Sequence, residues 1–405
     1  MKGKAIKRLY FVALSFLFFF QYSMSRSNLI PYRDGSKWGF ANRHGKIIIA
    51  ARFDLVDRFY NGFARVQYNH KFGLINENGT ITLSPVYDNV YDVIEGRSAV
   101  EFNGKWGFAD IKGHLIVSPV YDEVYSYHEG LSAVRVGKLW GFINLTGDTV
   151  IPIAYSRVLS FNHGLAGVFK DARAAFIDRF GKKVTGFQYK QLPLRSEDTF
   201  VDGLTAVEVS DLWGFINSKG EMIIPAIFYN VETFSQGLCG FQIGHKWGFL
   251  NTVGHVVVEP TYDEVTPFHN GLAGVLKRGK AGYINKDGKV IIPLKFDEVY
   301  KFNEGLGRVK LGMKFGFVDA KGSIIIPLIY DGAYDFSEGL AAVRKGRYWG
   351  YVDRRGKIQI DFRYDGATSF DNGIAMVKTD SLFGYIDMNG NEYWRGGKKG
   401  DKCTE

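Results

Sequence analysis

Cysteine is nearly absent, Cys239 and Cys403 being the only two in 405 residues. That excludes a disulfide-built scaffold, and with no Cys-x-x-Cys pair it also excludes the common zinc and dithiol motifs. Pairing the two thiols would require the C-terminal tail to fold back onto a distant segment. Catalytic signatures are missing as well: there is no Gly-x-Ser-x-Gly elbow, phosphate loop or His-Glu-x-x-His. From these absences the chain is expected to be no enzyme, with no catalytic residue, no metal and no cofactor. Long apolar runs are confined to Leu9–Phe20, about twelve residues where a membrane-spanning helix needs roughly 20.

That run follows Lys2, Lys4, Lys7 and Arg8 and precedes Gln21-Tyr22-Ser23-Met24-Ser25, the three-part layout of a secretory signal peptide. Cleavage is expected after Ser25, leaving no membrane span. No cysteine lies near the cut to carry a lipid, so a secreted, periplasmic or cell-surface location is expected. Removing the four cations lowers the formal net charge from +9 to +5, and Lys and Arg are then interspersed with Asp and Glu. The one concentrated basic stretch, Arg395 to Lys402, reads as a solvated end, so a nucleic-acid partner is not expected. What remains is rich in core material, with 46% hydrophobic and 16% aromatic residues, enough to bury a large interior.

One sentence is written along the chain eleven times. Its fullest form is Gly339 to Asp365, GLAAVRKGRYWGYVDRRGKIQIDFRYD, centred on Trp349-Gly350. In register, the central slot holds Trp38, Phe72, Trp106, Trp140, Ala174, Trp213, Trp247, Ala281, Phe315, Trp349 and Phe383, and every step is 34 residues except one of 39 after Ala174. A fixed period of this kind marks a repeat architecture. Four residues after the slot stands Asn or Asp and three further on Gly, in all eleven copies (Asp319 and Gly322, for example). That is hairpin grammar: the side-chain oxygen bonds back to the turn and Gly supplies the left-handed residue. Strands follow on both sides, Trp-Gly-aromatic upstream and Ile324-Ile325-Ile326 stopped by Pro327 downstream, and a third, Gly-Leu-Ala-x-Val, precedes them.

Each unit therefore reads as a three-stranded antiparallel meander of about 34 residues, too small to bury its own apolar face, so neighbours must stack. The Gly after Trp, kept in ten copies, marks a close approach, expected from the next unit. The segments are a signal peptide over 1–25, units one to five over 26–187, an irregular insertion over 188–199, units six to eleven over 200–394 and a basic flexible tail over 395–405. The fold class is all-β. Rings typically hold four to eight four-stranded blades, and whole units stand at both ends with no split blade, so an open β-solenoid or superhelix is expected; the alternative is one or two β-propeller-like rings.

The recurring Lys246-Trp247-Gly248-Phe249-Leu250-Asn251 and the trailing Ile326-Pro327 with Tyr330-Asp331 resemble the WG, or KWG, repeat of bacterial proteins over about residues 28 to 394. The resemblance implies a β-repeat, often in secreted or surface proteins, and no agreed activity.

Three sets of residues could carry function. The Trp row (Trp38, Trp106, Trp140, Trp213, Trp247, Trp349) could form a sugar-binding ladder, but rings at fixed strand positions are expected to be structural core. The Asp after Tyr or Phe (Asp54, Asp88, Asp122, Asp263, Asp297, Asp331, Asp365) could suggest calcium, yet one carboxylate per unit does not supply the six to eight oxygens that ion takes; an Asx turn is expected instead. The eight histidines (His44, His70, His114, His128, His163, His245, His255, His269) fall at turn or connector slots and read as surface polar residues. The candidate ligand-facing row is the slot five before Trp, where chemistry varies over a constant framework: Arg33, Gln67, Glu101, Arg135, Glu208, Gln242, Lys310, Arg344 and Lys378, with Phe169 and Leu276 completing it. A protein partner is the expected ligand, with a carbohydrate or cell-envelope glycan as the alternative.

Overall fold

The computed structural model describes residues 27–193, 195–380 and 382–395. The signal segment, most of the basic tail and Cys403 lie outside the described residues, while Cys239 is buried and unpaired. No helix among the described residues is long and apolar enough to cross a membrane. Eleven small sheets follow one another, one per repeat.

Blade 10 shows how the sequence builds each of them. Leu340–Lys345, Tyr348–Asp353 and Ile358–Tyr364 form the expected meander. Asp353 turns the second hairpin, its carboxylate accepting the N–H groups of Arg355 and Lys357 at 2.9 Å, and Gly356 follows at φ +81°. All eleven repeat glycines at this position have positive φ, the region where a Cβ is strained. Opposite Trp-Gly the third strand is bulged, pairing Trp349 with Tyr364 but Tyr351 with Ile360. A Cβ on Gly350 would stand 2.6 Å from the Ile360 carbonyl oxygen. The close approach that requires this Gly thus comes from the bulged strand of the same blade rather than from the next unit, because the bulge pushes backbone toward the Trp strand. Blade 5 has no regular third strand after Arg173–Asp178, and there Ala175 is accommodated.

A fourth strand was hidden in the connector. Gly332–Ala333, two residues of Tyr-Asp-x-Val, pairs with Arg344 and Val343, and the same position is occupied by a strand in nine blades, two residues long in eight and extended to Glu298–Asn303 in blade 9. In blade 6 a single bridge replaces it, Gln191 opposite Glu208. Tyr189 bridges Ala174 just as Tyr364 pairs with Trp349, so the extra residues fall between Leu192 and Phe200. That segment is anchored as well as polar: Tyr189, Leu192 and Phe200 are buried between blades 5 and 6.

Each blade shares a core with the next. Leu306, Phe317, Ile326 and Tyr330 of blade 9 close on Ala333, Phe336, Ala341, Val343 and Val352 of blade 10. The ring two residues after Trp meets the connector Phe of the following blade edge to face, as Phe317 does Phe336 at 4.9 Å, and the pairing recurs at Phe142–Phe161 and Phe249–Phe268.

The last core joins the ends. Ile30, Tyr32 and Ala41 of blade 1 pack with Ile374 and Tyr393 at the C-terminus, and Trp394–Arg395 adds to the first sheet as its fourth strand, parallel to Arg33 and Asp34. Arg33 N–H donates to the Tyr393 carbonyl at 3.1 Å and Gly35 N–H to that of Arg395 at 3.3 Å. The junction repeats interior contacts: Arg43 donates to the Asn372 carbonyl at 2.6 Å as Arg179 does to that of Glu129 at 2.7 Å. The array is therefore a closed eleven-bladed propeller and not the open solenoid expected. The clasp strand is the split element that the sequence did not reveal, and the short connector strands complete each blade.

Candidate functional site

Two sets of polar contacts position the blades. The Lys before Trp reaches the Asp of Tyr-Asp 17 residues on, and that Asp also accepts an N–H from the next blade's hairpin turn. Asp331, for example, takes Lys314 at 2.6 Å and Gly346 N–H at 2.7 Å. The same double contact is made by Asp88, Asp122, Asp263 and Asp297, and in blade 10 Arg347, two before Trp349, takes the place of the Lys on Asp365, which also accepts Asp380 N–H. The expected Asx turn is thus an inter-blade staple, legible in the sequence as a constant Lys-to-Asp spacing. Hydrogen bonds from the lysines hold Asp88, Asp122, Asp263, Asp297 and Asp331 below the usual carboxylate range. Between blades 5 and 6 the polarity is exchanged: Lys190 stands in the Asp slot and pairs with Asp211 in the turn. A second staple links connectors, Glu304 accepting Gly339 N–H and Glu338 accepting Gly373 N–H.

The variable row lies directly across from the central slot in every blade, Arg344 opposite Trp349 and Gln67 opposite Phe72. None of its members is fully exposed. Arg33 and Glu208 are buried, and Gln67, Glu101, Arg135, Gln242, Lys310, Arg344 and Lys378 are half-buried. Several are engaged within the ring: Arg135 pairs with Glu123 at 3.0 Å and lies over Trp140, Lys310 pairs with Glu298, and Lys378 lies over Phe383. Arg33 donates to the Phe383 carbonyl across the junction at 3.2 Å. These residues share a register position in separate blades and do not converge on one point.

The Trp row is largely covered. Trp106 and Trp140 are buried and Trp38, Trp213, Trp247 and Trp349 half-buried, and connector tyrosines cover several faces: Tyr91 on Trp106 at 4.6 Å, Tyr125 on Trp140 at 4.8 Å and Tyr334 stacked on Trp349 at 5.1 Å. The two Ala positions face the two apolar members of the variable row, Phe169 opposite Ala174 and Leu276 opposite Ala281. Among the histidines, burial holds His128 and His269 below the usual 6.5, so these two are half-buried structural groups and not simple surface residues. No group of three or more His, Cys, Asp or Glu among the described residues could hold a metal ion.

The model of the WG-containing repeat family matches nine times, over residues 38–71, 72–106, 106–140, 140–173, 213–247, 247–280, 282–314, 315–348 and 349–382. The chain belongs to the WG-repeat family. The unmatched stretch between 173 and 213 is where blade 5 loses its third strand, a single bridge replaces the short strand of blade 6, and the insertion follows. No curated protein matches this WG-repeat chain. Among solved structures it is similar to a eukaryotic initiation factor at 12% identity, covering 81% of this chain and 93% of that one with a TM-score of 0.47. It is also similar to PorZ, a surface component of the type-IX secretion system of Porphyromonas gingivalis, at 10% identity, 87% and 63% coverage and a TM-score of 0.26. A third is an extracellular domain ascribed to a one-component system of B. thetaiotaomicron, at 8% identity, 92% and 72% coverage and a TM-score of 0.25. Scores this low carry no argument about function, and the WG-repeat ring rests on its own geometry.

Proposed function

We propose that this WG-repeat propeller is an exported, non-enzymatic scaffold that binds a protein partner. The observation that carries the reading is the third strand present in nine blades, which pairs on one side only and turns aliphatic side chains to solvent in copy after copy. Ile81, Val120, Ile227, Ile325, Ile329 and Ile358 are all exposed, Ile227 by 57% and Val120 by 55%. A repeated row of exposed aliphatics is the signature of a surface meant to be covered. Pro85, Pro119 and Pro327 within these edge strands remove a backbone donor and discourage sheet-to-sheet pairing, which favours side-chain recognition over strand addition. Export is supported by the layout of residues 1–25. A glycan ladder is less well supported, because it needs free aromatic faces, and tyrosines cover those of Trp106, Trp140 and Trp349.

A photo-crosslinking residue placed at Ile325 or Ile329 in the intact protein tests this in the native host. A discrete protein adduct is expected from both, and none from the turn residue Lys321. Absence of any adduct from edge-strand positions, together with specific retention on a polysaccharide array, would replace the protein reading with the glycan one.

A further inference from the structure

Blade 8 differs from blade 10 at three positions that meet in space. In blade 10 the corresponding residues form a stack, Trp349 lying 5.1 Å from Tyr334 with an interplanar angle of 13°, and Arg344 over the indole at 6.0 Å. Blade 8 has Ala281 for the Trp, Thr266 for the Tyr and Leu276 for the Arg. What these substitutions leave is a cavity of about 300 Å³, at the lower end of the ~300–1,000 Å³ of small-molecule sites.

Blade 5 shows that the cavity is not the automatic result of an Ala in the slot. There Ala174 is covered from within the chain, by the buried Phe169 carrying Arg157 on its face at 3.6 Å and by the buried Tyr189. In blade 8 the buried Phe296 stands opposite Ala281 as Tyr189 does opposite Ala174, but Leu276 and Glu264 replace the Phe169 and Arg157 that complete the cover in blade 5. Val275, Leu276, Ala281 and Val299 are among the cavity's apolar walls, Thr266 and Tyr300 line it as well, and Glu264, Asp297 and Glu298 supply the charge of its lining; a cation, Arg308, lies over the Tyr300 ring at 3.7 Å. Asp297 is paired with Lys280 and Glu298 with Lys310. Glu264, paired in register with Leu276 across the strands, is exposed and makes no ion pair among the described residues.

We propose that this cleft binds a planar aromatic group attached to a cationic centre, the ring taking the place that Trp holds in other blades and the cation facing Glu264. An aryl-ethylamine has this chemistry, and so does an aromatic side chain beside lysine or arginine in a polypeptide. The inference goes beyond the edge-strand surface and does not depend on it.

Isothermal titration of the intact protein with tryptamine, with the peptide Lys-Gly-Trp-Gly-Lys and with indole-3-propionate tests it. Saturable binding of tryptamine or the peptide is expected between about 0.1 and 5 mM, consistent with a ligand of about a dozen heavy atoms. The anionic indole should bind at least about three-fold more weakly, and Glu264→Gln should erase that preference. Tighter binding of the peptide assigns the site to polypeptides, and tighter binding of tryptamine to a free amine. Ala281→Trp restores the repeat residue and should weaken binding at least about ten-fold without lowering the melting temperature; if it does not fold, Thr266→Tyr closes the cleft from the other wall. No saturation by either cationic probe, or unchanged binding to a folded, cleft-filling variant, overturns the proposal.

Discussion

Tyr393→Ala is the most direct probe of the closed ring. Tyr393 is 3% exposed, sits in the core that joins blades 11 and 1, and donates its hydroxyl to the Arg43 carbonyl at 3.1 Å. Deleting a buried aromatic of this size costs about 3–5 kcal/mol. The lost hydroxyl contact contributes about 1 kcal/mol of that loss, so Tyr393→Phe should cost only this smaller part. In a repeat array, stability is a sum of neighbour terms, so the loss should fall on one junction. Hydrogen exchange followed by mass spectrometry reads this blade by blade. For a loss of about 4 kcal/mol, amides of Leu29–Asp34 and Ile374–Thr379 should exchange up to about 10³-fold faster. Blades 4 to 8 should change by less than about two-fold, since sites this distant are independent. Equal acceleration everywhere would mean that the ring unfolds as one unit, and no change in Leu29–Asp34 would mean that the ends do not meet in solution.

Gly322→Val should cost on the order of 1–2 kcal/mol from the backbone alone, because Gly322 lies at φ +86°, whereas the exposed Lys321→Val should be nearly silent in a urea melt. The stapled aspartates give an acid-sensitive ring: their folded pKa values are depressed below the usual 3.8, so the stabilisation is fully present above that value and is lost as the pH falls through the lower folded values. Melting temperature measured downward from pH 6 should therefore hold steady and then drop below about pH 4, from a lower plateau and less steeply in Asp331→Asn; a decline beginning near pH 6 would point to another group. Trypsin should cut first at the exposed Arg195, and the five- and six-blade fragments should co-elute without denaturant because two junctions hold them. Separation on a sizing column would show that one of those junctions is too weak to count.

Much of the blade was legible because its determinants are local. Asn or Asp followed three residues later by Gly specifies the same hairpin wherever it occurs, and all eleven copies adopt it. The Trp-Gly and Ile strands could be read from residue type. The short strand was not, since two residues such as Gly332 and Ala333 carry no periodicity. The Lys-to-Asp staple was present as a spacing but looked like two surface charges, because its meaning depends on the next blade's turn. The cleft at blade 8 was visible only as a departure, Ala281, whose consequence depended on whether a neighbour filled the space, as Phe169 does in blade 5.

By itself, then, the sequence determined the all-β unit, its register, its turns and the number of copies, all of which follow from contacts within a few residues. Closure was decided by the tertiary structure. Whether eleven units form a ring depends on the small rotation between neighbours, set by how rings such as Phe317 and Phe336 interlock, and on its accumulated sum bringing Trp394 beside Arg33. No local segment encodes that sum, and the C-terminal strand that completes the first blade reads in the chain only as the end of the last repeat.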